Sequence, residues 1–203
     1  MFSLAYKEDR EVIIGDGCYF VDTSFDNVLK VIDMLNDQEV GNVADKIVLG
    51  LAMLLRDEHG ERFDFTNQLF QRPMEVLEQA LDEICKTYID IGKKKEIRRD
   101  LQGNVIPTPQ EEEEENSYSL KHDAEFIYAS FMQAYGIDLI EAQGKLSWAK
   151  FQALLVGLPS DTKFSQVVAI RTWKKPSKSE SETSRMQKLK DIYKLPEGGE
   201  IDG

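Results

Sequence analysis

Residues 43–56 read Val-Ala-Asp-Lys-Ile-Val-Leu-Gly-Leu-Ala-Met-Leu-Leu-Arg, and this stretch decides the fold class. Ile47, Val48, Leu49, Leu51, Ala52, Met53, Leu54 and Leu55 leave almost no wet face at helical spacing. A helix from about Val43 to Arg56 is therefore expected at the centre of a core. Ile47 to Leu55 is also the longest apolar run in the chain, and it is too short to cross a bilayer.

Upstream lies a second helical pattern, roughly Ser24 to Leu35, with Phe25, Val28, Leu29, Ile32 and Leu35 on one face. Thr23 or Ser24 can cap it, and Asp26 suits its first turn. Before it stand two β-prone runs, Val12-Ile13-Ile14 and Cys18-Tyr19-Phe20-Val21, separated by Gly15-Asp16-Gly17. Glycine reaches positive φ without strain, so a β-hairpin is expected. A lone hairpin is marginal in water and must pack on something.

Downstream, Pro73 suits the first turn of a helix reaching about Ile91, with Met74, Leu77, Leu81, Ile84, Cys85 and Tyr88 inward. Lys93-Lys94-Lys95 follow, where positive charge meets a helix C-terminus. Residues 102–117 hold Pro107, Pro109 and five consecutive glutamates, Glu111 to Glu115, which repel and extend. A fourth helix is expected from about Leu120 to Tyr135, capped by Ser119, with Ala124, Ile127, Tyr128, Phe131 and Tyr135 on one face and a Gly136-Ile137 stop. Ser147 caps a short fifth helix with Trp148, Phe151, Leu154 and Leu155, ended by Gly157-Leu158-Pro159. A sixth starts at Ser160 or Asp161, carries Phe164, Val167, Val168 and Ile170, and ends near Trp173.

The expected fold is thus mainly α: a bundle of about six helices with a small N-terminal β-hairpin, an acidic linker and a disordered C-terminal tail. Residues 1–101 form a hairpin and three-helix part, 102–117 the linker, 118–174 an aromatic-rich helical part and 175–203 the basic tail. That tail is rich in Ser, Lys and Glu and has too few apolar residues to offset its ordering entropy, although a transient helix fits Thr183 to Tyr193.

The chain has 203 residues, 41% apolar and 31% charged, with a net charge of −12. Residues 1–106 carry −8, 107–119 carry −5 and 120–203 carry +1. Such acidity speaks against general nucleic-acid binding, which needs clustered cations to displace counterions. It favours solubility. Met1-Phe2-Ser3-Leu4-Ala5-Tyr6-Lys7 turns charged too soon for a signal peptide, so a cytoplasmic, non-membrane protein is expected. Cys18 and Cys85 are far apart and in no metal-like spacing, which excludes a disulfide framework, and Cys85 reads as a small core hydrophobe.

Catalytic patterns are missing from the sequence. His59 and His122, the two histidines, sit in different polar segments and read as surface residues. No glycine-rich phosphate loop, HExxH, nucleophile elbow, CxxC or calcium loop occurs. We therefore expect no enzyme, cofactor or metal. Glu111 to Glu115 read as a solvated spacer rather than a polyanion mimic. Lys93, Lys94, Lys95, Arg98 and Arg99 lack the interleaved aromatics of single-strand binders and read as a helix end. Arg171 to Lys194 carry a net +5, either as a hook for an acidic partner or nucleic acid or as a solubilising extension.

The most informative segment is Tyr118 to Arg171. A helix ends in Tyr135-Gly136-Ile137-Asp138-Leu139. After a spacer come Leu146-Ser147-Trp148-Ala149-Lys150-Phe151, then Leu154-Leu155-Val156-Gly157-Leu158, then Asp161-Thr162-Lys163-Phe164 and Ile170-Arg171. This resembles a family of small proteins encoded in the tail gene clusters of long-tailed phages and prophages of Gram-positive bacteria, just before the tape measure gene. Over residues 12–91 only the order of elements matches. The resemblance implies a tail assembly chaperone, often the downstream member of a pair linked by ribosomal frameshifting. Its client would be the tape measure protein, a long helical chain whose apolar stripes need cover until tail tube subunits displace the chaperone. Several copies, or a homo-oligomer, would act on one client. The signature residues Tyr135, Gly136, Ile137, Asp138, Leu139, Trp148, Phe151, Leu154, Leu155, Gly157, Leu158, Phe164, Ile170 and Arg171 build the core or touch the partner, and for Trp148, Phe151, Leu154 and Leu155 a shared helical face favours core. Two rivals stand beside this reading: a structural tail or adaptor protein of the virion, and a small enzyme or nucleic-acid-binding protein of the phage.

Overall fold

Glu11–Ile14 (β1) and Gly17–Val21 (β2) pair antiparallel, with Ile14 opposite Gly17. The loop is Gly15-Asp16, and Gly15 takes φ +65°, the left-handed value that a two-residue hairpin loop demands. These features belong to a computed structural model, which describes residue 5 and residues 9–89, 117–174 and 180–196. Among the described residues the fold is mainly α, with seven helices and one three-stranded antiparallel sheet in the order β1-β2-β3.

The third strand corrects the reading of residues 43–56. Helix α2 covers Val43–Leu54, and Leu55–Arg56 form β3 against β2, with Val21 opposite Leu55 and Phe20 opposite Arg56. Local propensity favours continuing the helix, but the open edge of the hairpin supplies ladder bonds that the hairpin alone lacks. Arg56 then reaches back, donating from Nη1 to the Met53 and Leu55 carbonyls and from Nη2 to Asp22. That satisfies carbonyls a helix end leaves open. The helix is not buried all round either: Val43 is 72% exposed, while Ile47, Leu51 and Leu54 are buried. At its start Asn42 and Asp45 form a reciprocal capping box.

Helix α1 spans Phe25–Asn36 and packs on α2, and Lys46 caps its last turn by donating to the Leu35 carbonyl at 2.6 Å. Helix α3 covers Met74–Ile84, directly after Pro73, packs on α2 and continues as a π-helical turn, Cys85–Ile89. Leu77, Leu81, Ile84 and Cys85 point inward, as their spacing predicts, whereas Met74 is exposed. Burial pushes the Cys85 thiol up to about 11.

Helix α4 (Ala124–Tyr135) starts four residues later than expected, because residues 120–123 form turns. Ser119 Oγ accepts the His122 N–H, and the Asp123 carboxylate accepts the Ser119 N–H, so these groups close a turn ahead of the helix. Helices α5 (Trp148–Val156), α6 (Lys163–Arg171) and α7 (Glu180–Tyr193) follow. α7 covers the helix anticipated at 183–193, with three more residues at its start. The helix end at Ile91, the cluster from Lys93 to Arg99, the acidic linker (Ser117 apart) and residues 175–179 and 197–203 lie outside the described residues.

The chain forms two compact units. One comprises Met1–Lys93 and Ile140–Leu154, the other Lys94–Leu139 and Leu155–Gly203. The first has its core between the sheet, α1, α2 and α3; in the second α6 packs on both α4 and α7. Among the described residues no helix is long and apolar enough to cross a membrane.

Candidate functional site

In the first unit, residues 140–154 join the N-terminal part by backbone pairing. Ser24 and Ser147 form an antiparallel bridge; the Phe25 N–H donates to the Leu146 carbonyl at 3.0 Å and the Trp148 N–H to the Thr23 carbonyl at 2.7 Å. Ser24 stands at the N-cap of α1 but makes no side-chain cap bond. Ser24 Oγ instead donates to Asp22 at 2.6 Å, and the Leu146 carbonyl takes the open helix N–H. Farther along α1, Asp26 accepts the Gly144 N–H and pairs with Lys30. Burial alone would raise the Asp26 carboxyl, but these partners outweigh it and hold it below its ordinary value.

The side chains of this segment complete the core. Phe151 stacks on Phe25 with centroids 5.0 Å apart and on Trp148 at 5.6 Å, and all three are at most 5% exposed. The indole Nε1 donates to the Ile89 carbonyl at 3.0 Å. A buried tryptophan needs such a partner for its N–H, and here the π-helical turn supplies it. Leu154 is half-buried.

In the second unit α4 ends where glycine is required: Gly136 takes φ +65°, its N–H reaches Met132 and the Ile137 N–H reaches Phe131. Tyr135 packs edge-on to Phe131, Asp138 accepts the Tyr128 hydroxyl at 3.1 Å, and Leu139 and Leu155 are buried. Gly157 is exposed; the half-buried Leu158 accepts Ser165 Oγ through its carbonyl. Phe164 is buried against Tyr118, while Ile170 is half-buried. Ser130, from α4, caps α6 across the interface by accepting the Phe164 N–H at 3.0 Å, and donates its own proton to Phe126.

The polar centre of this unit is Arg171. It grips Asp123 with both Nη atoms, at 2.5 and 2.8 Å, and donates to the Ser117 carbonyl at 3.3 Å and, through Nε, to the Tyr193 carbonyl at 2.5 Å. The Asp123 side chain is 1% exposed and that of Arg171 10%. The sequence marks Arg171 as a signature residue but not Asp123, which stands beside His122.

An open hollow of about 550 Å³ lies beside the hairpin, and no signature residue lines it. Two of the three carboxylates that line it, Asp16 and Asp57, are held by neighbours. Arg72 holds Asp16 below its ordinary value, and the Glu61 N–H, with those of His59 and Gly60, does the same for Asp57. Anions held this way lie far from the neutral pKa that suits a general acid or base.

The signature residues thus divide between the two units, with Trp148, Phe151 and Leu154 in the first and the others in the second. No curated protein matches the chain, and no solved structure does. The family model described as Bacteriophage Gp15 protein matches residues 9–195 and so spans both cores; the chain belongs to this bacteriophage protein family.

Proposed function

We propose that the chain is a tail assembly chaperone that binds the tape measure protein in the host cytoplasm and keeps it soluble until the tail tube polymerises. The observation that carries this reading is the resemblance of residues 118–171 to such chaperones, within a chain of a phage family. Charge and burial support it. A net charge of −12 keeps a complex with an apolar client dispersed. Isolated apolar side chains stand out on both units, Ile13 at 72% and Val156 at 88% exposure, and offer weak contacts. Weak contacts suit a holder that tube subunits must displace, and several copies on one client compensate through avidity. The chain acts by binding and not by catalysis.

Co-expression with the protein encoded immediately downstream tests this. We expect a large helical partner to become soluble and to co-purify. A partner neither solubilised nor retained contradicts the proposal.

A further inference from the structure

We infer that α7 is a detachable strap, which lifts from the second unit without unfolding it and uncovers a seat formed by Phe126 of α4 and Lys163 of α6.

Helix α7 packs on α6, and its last residue, Tyr193, makes ring, hydroxyl and carbonyl contacts with the unit. The Tyr193 ring lies edge-on to Phe126, with centroids 6.1 Å apart. The Lys163 ammonium sits 4.5 Å from the centre of the Tyr193 ring and donates to its hydroxyl at 2.6 Å. Arg171 Nε takes the Tyr193 carbonyl, one of the acceptors a helix C-terminus leaves open. Two cations at that end also suit the helix dipole.

Elsewhere in the helix the apolar side chains Met186 and Leu189 are only half-buried. From Thr183 onward no α7 side chain is buried, and Ile192 is 69% exposed even in the docked state. The unit's apolar core instead lies in Ile127, Phe131, Phe164 and Val167 of α4 and α6. Undocking also strands no buried charge. Arg171 keeps both bonds to Asp123 and its bond to Ser117. Lys163 returns to water beside the Phe126 ring, which it already faces at 5.5 Å. A polar 14-residue helix is marginal by itself, so lifting and melting are one event. The strap stands independently of the chaperone reading.

Hydrogen exchange on the full chain, with Tyr193→Ala as the variant, tests the strap. Alanine is the better helix former, so any lost protection reports undocking and not propensity. In the wild type, α7 amides should be measurably protected, yet about ten-fold or more less than those of α4 and α6. In Tyr193→Ala, α7 protection should fall about ten-fold or vanish while α4 and α6 are unchanged. Ile192→Ala, at an exposed neighbour, should leave all three helices as they were. The inference is overturned if α7 is unprotected in the wild type or exchanges together with α4 and α6. It is equally overturned if Tyr193→Ala leaves α7 unchanged or weakens all three helices in step.

Discussion

Each unit has an apolar core, but the contact that completes it differs. The first closes on three stacked aromatic rings, Phe25, Phe151 and Trp148, with backbone bonds at the edges. The second has an apolar core of Ile127, Phe131, Phe164 and Val167, and adds one nearly buried guanidinium–carboxylate pair, Arg171 with Asp123. Apolar stacking degrades gradually, because each lost methylene costs its own increment. A buried ion pair fails abruptly, because removing one partner strands the other's charge. Residues from one sequence signature therefore do two different jobs.

The sharpest way to break this comparison is Trp148→Ala. It removes a large buried ring and leaves the Ile89 carbonyl unpaired, so the first unit should lose about 4–5 kcal/mol. Urea unfolding measures the loss, and hydrogen exchange should place it in α1 to α3. Unchanged stability with lost client binding would make Trp148 a contact residue. Next comes Asp123→Ala, which should cost the second unit about 3–4 kcal/mol by the same measurement. Pairing Asp123→Leu with Arg171→Met should recover much of that loss, because a buried ion pair is weak support compared with apolar packing. No recovery would mean that Arg171 acts chiefly through its Ser117 and Tyr193 bonds. Ser130→Ala should cost about 1 kcal/mol, the usual loss for a helix N-terminal acceptor, and should destabilise only the second unit.

The smallest effect is a pH dependence confined to the first unit. The Asp26 carboxyl is held below its ordinary 3.8, so its support is complete above that pH and fades as pH falls through the lower folded value. Asp26→Asn should flatten the acid limb of the first unit's stability below about pH 4 and leave the second unit unaffected.

Helix positions were legible wherever one face repeats, as in α1 and α3, and so was the glycine stop at Gly136. The hairpin was legible because its turn chemistry is local. What escaped depends on partners distant in the chain. Leu55 and Arg56 look helical until the edge of β2 competes for them. Ser24 looks like a cap until Leu146, far along the chain, takes the helix N–H. Asp123 carries no signal of its own until Arg171, 48 residues away, reaches it. Ser130 shows no sign of capping a helix other than its own. The tail's composition allowed a helix but did not reveal that Tyr193 would dock it.

The proposed role has one direct discriminator. Virions purified from the phage or prophage that encodes this chain should contain no stoichiometric copies of it, because tube subunits displace a chaperone before the tail is complete. Quantitative mass spectrometry of those virions, with the tape measure protein as internal standard, makes the measurement. Absence from virions in which the tape measure protein is present is the predicted result. A fixed, stoichiometric number of copies per virion would contradict it and make the chain a structural component of the tail.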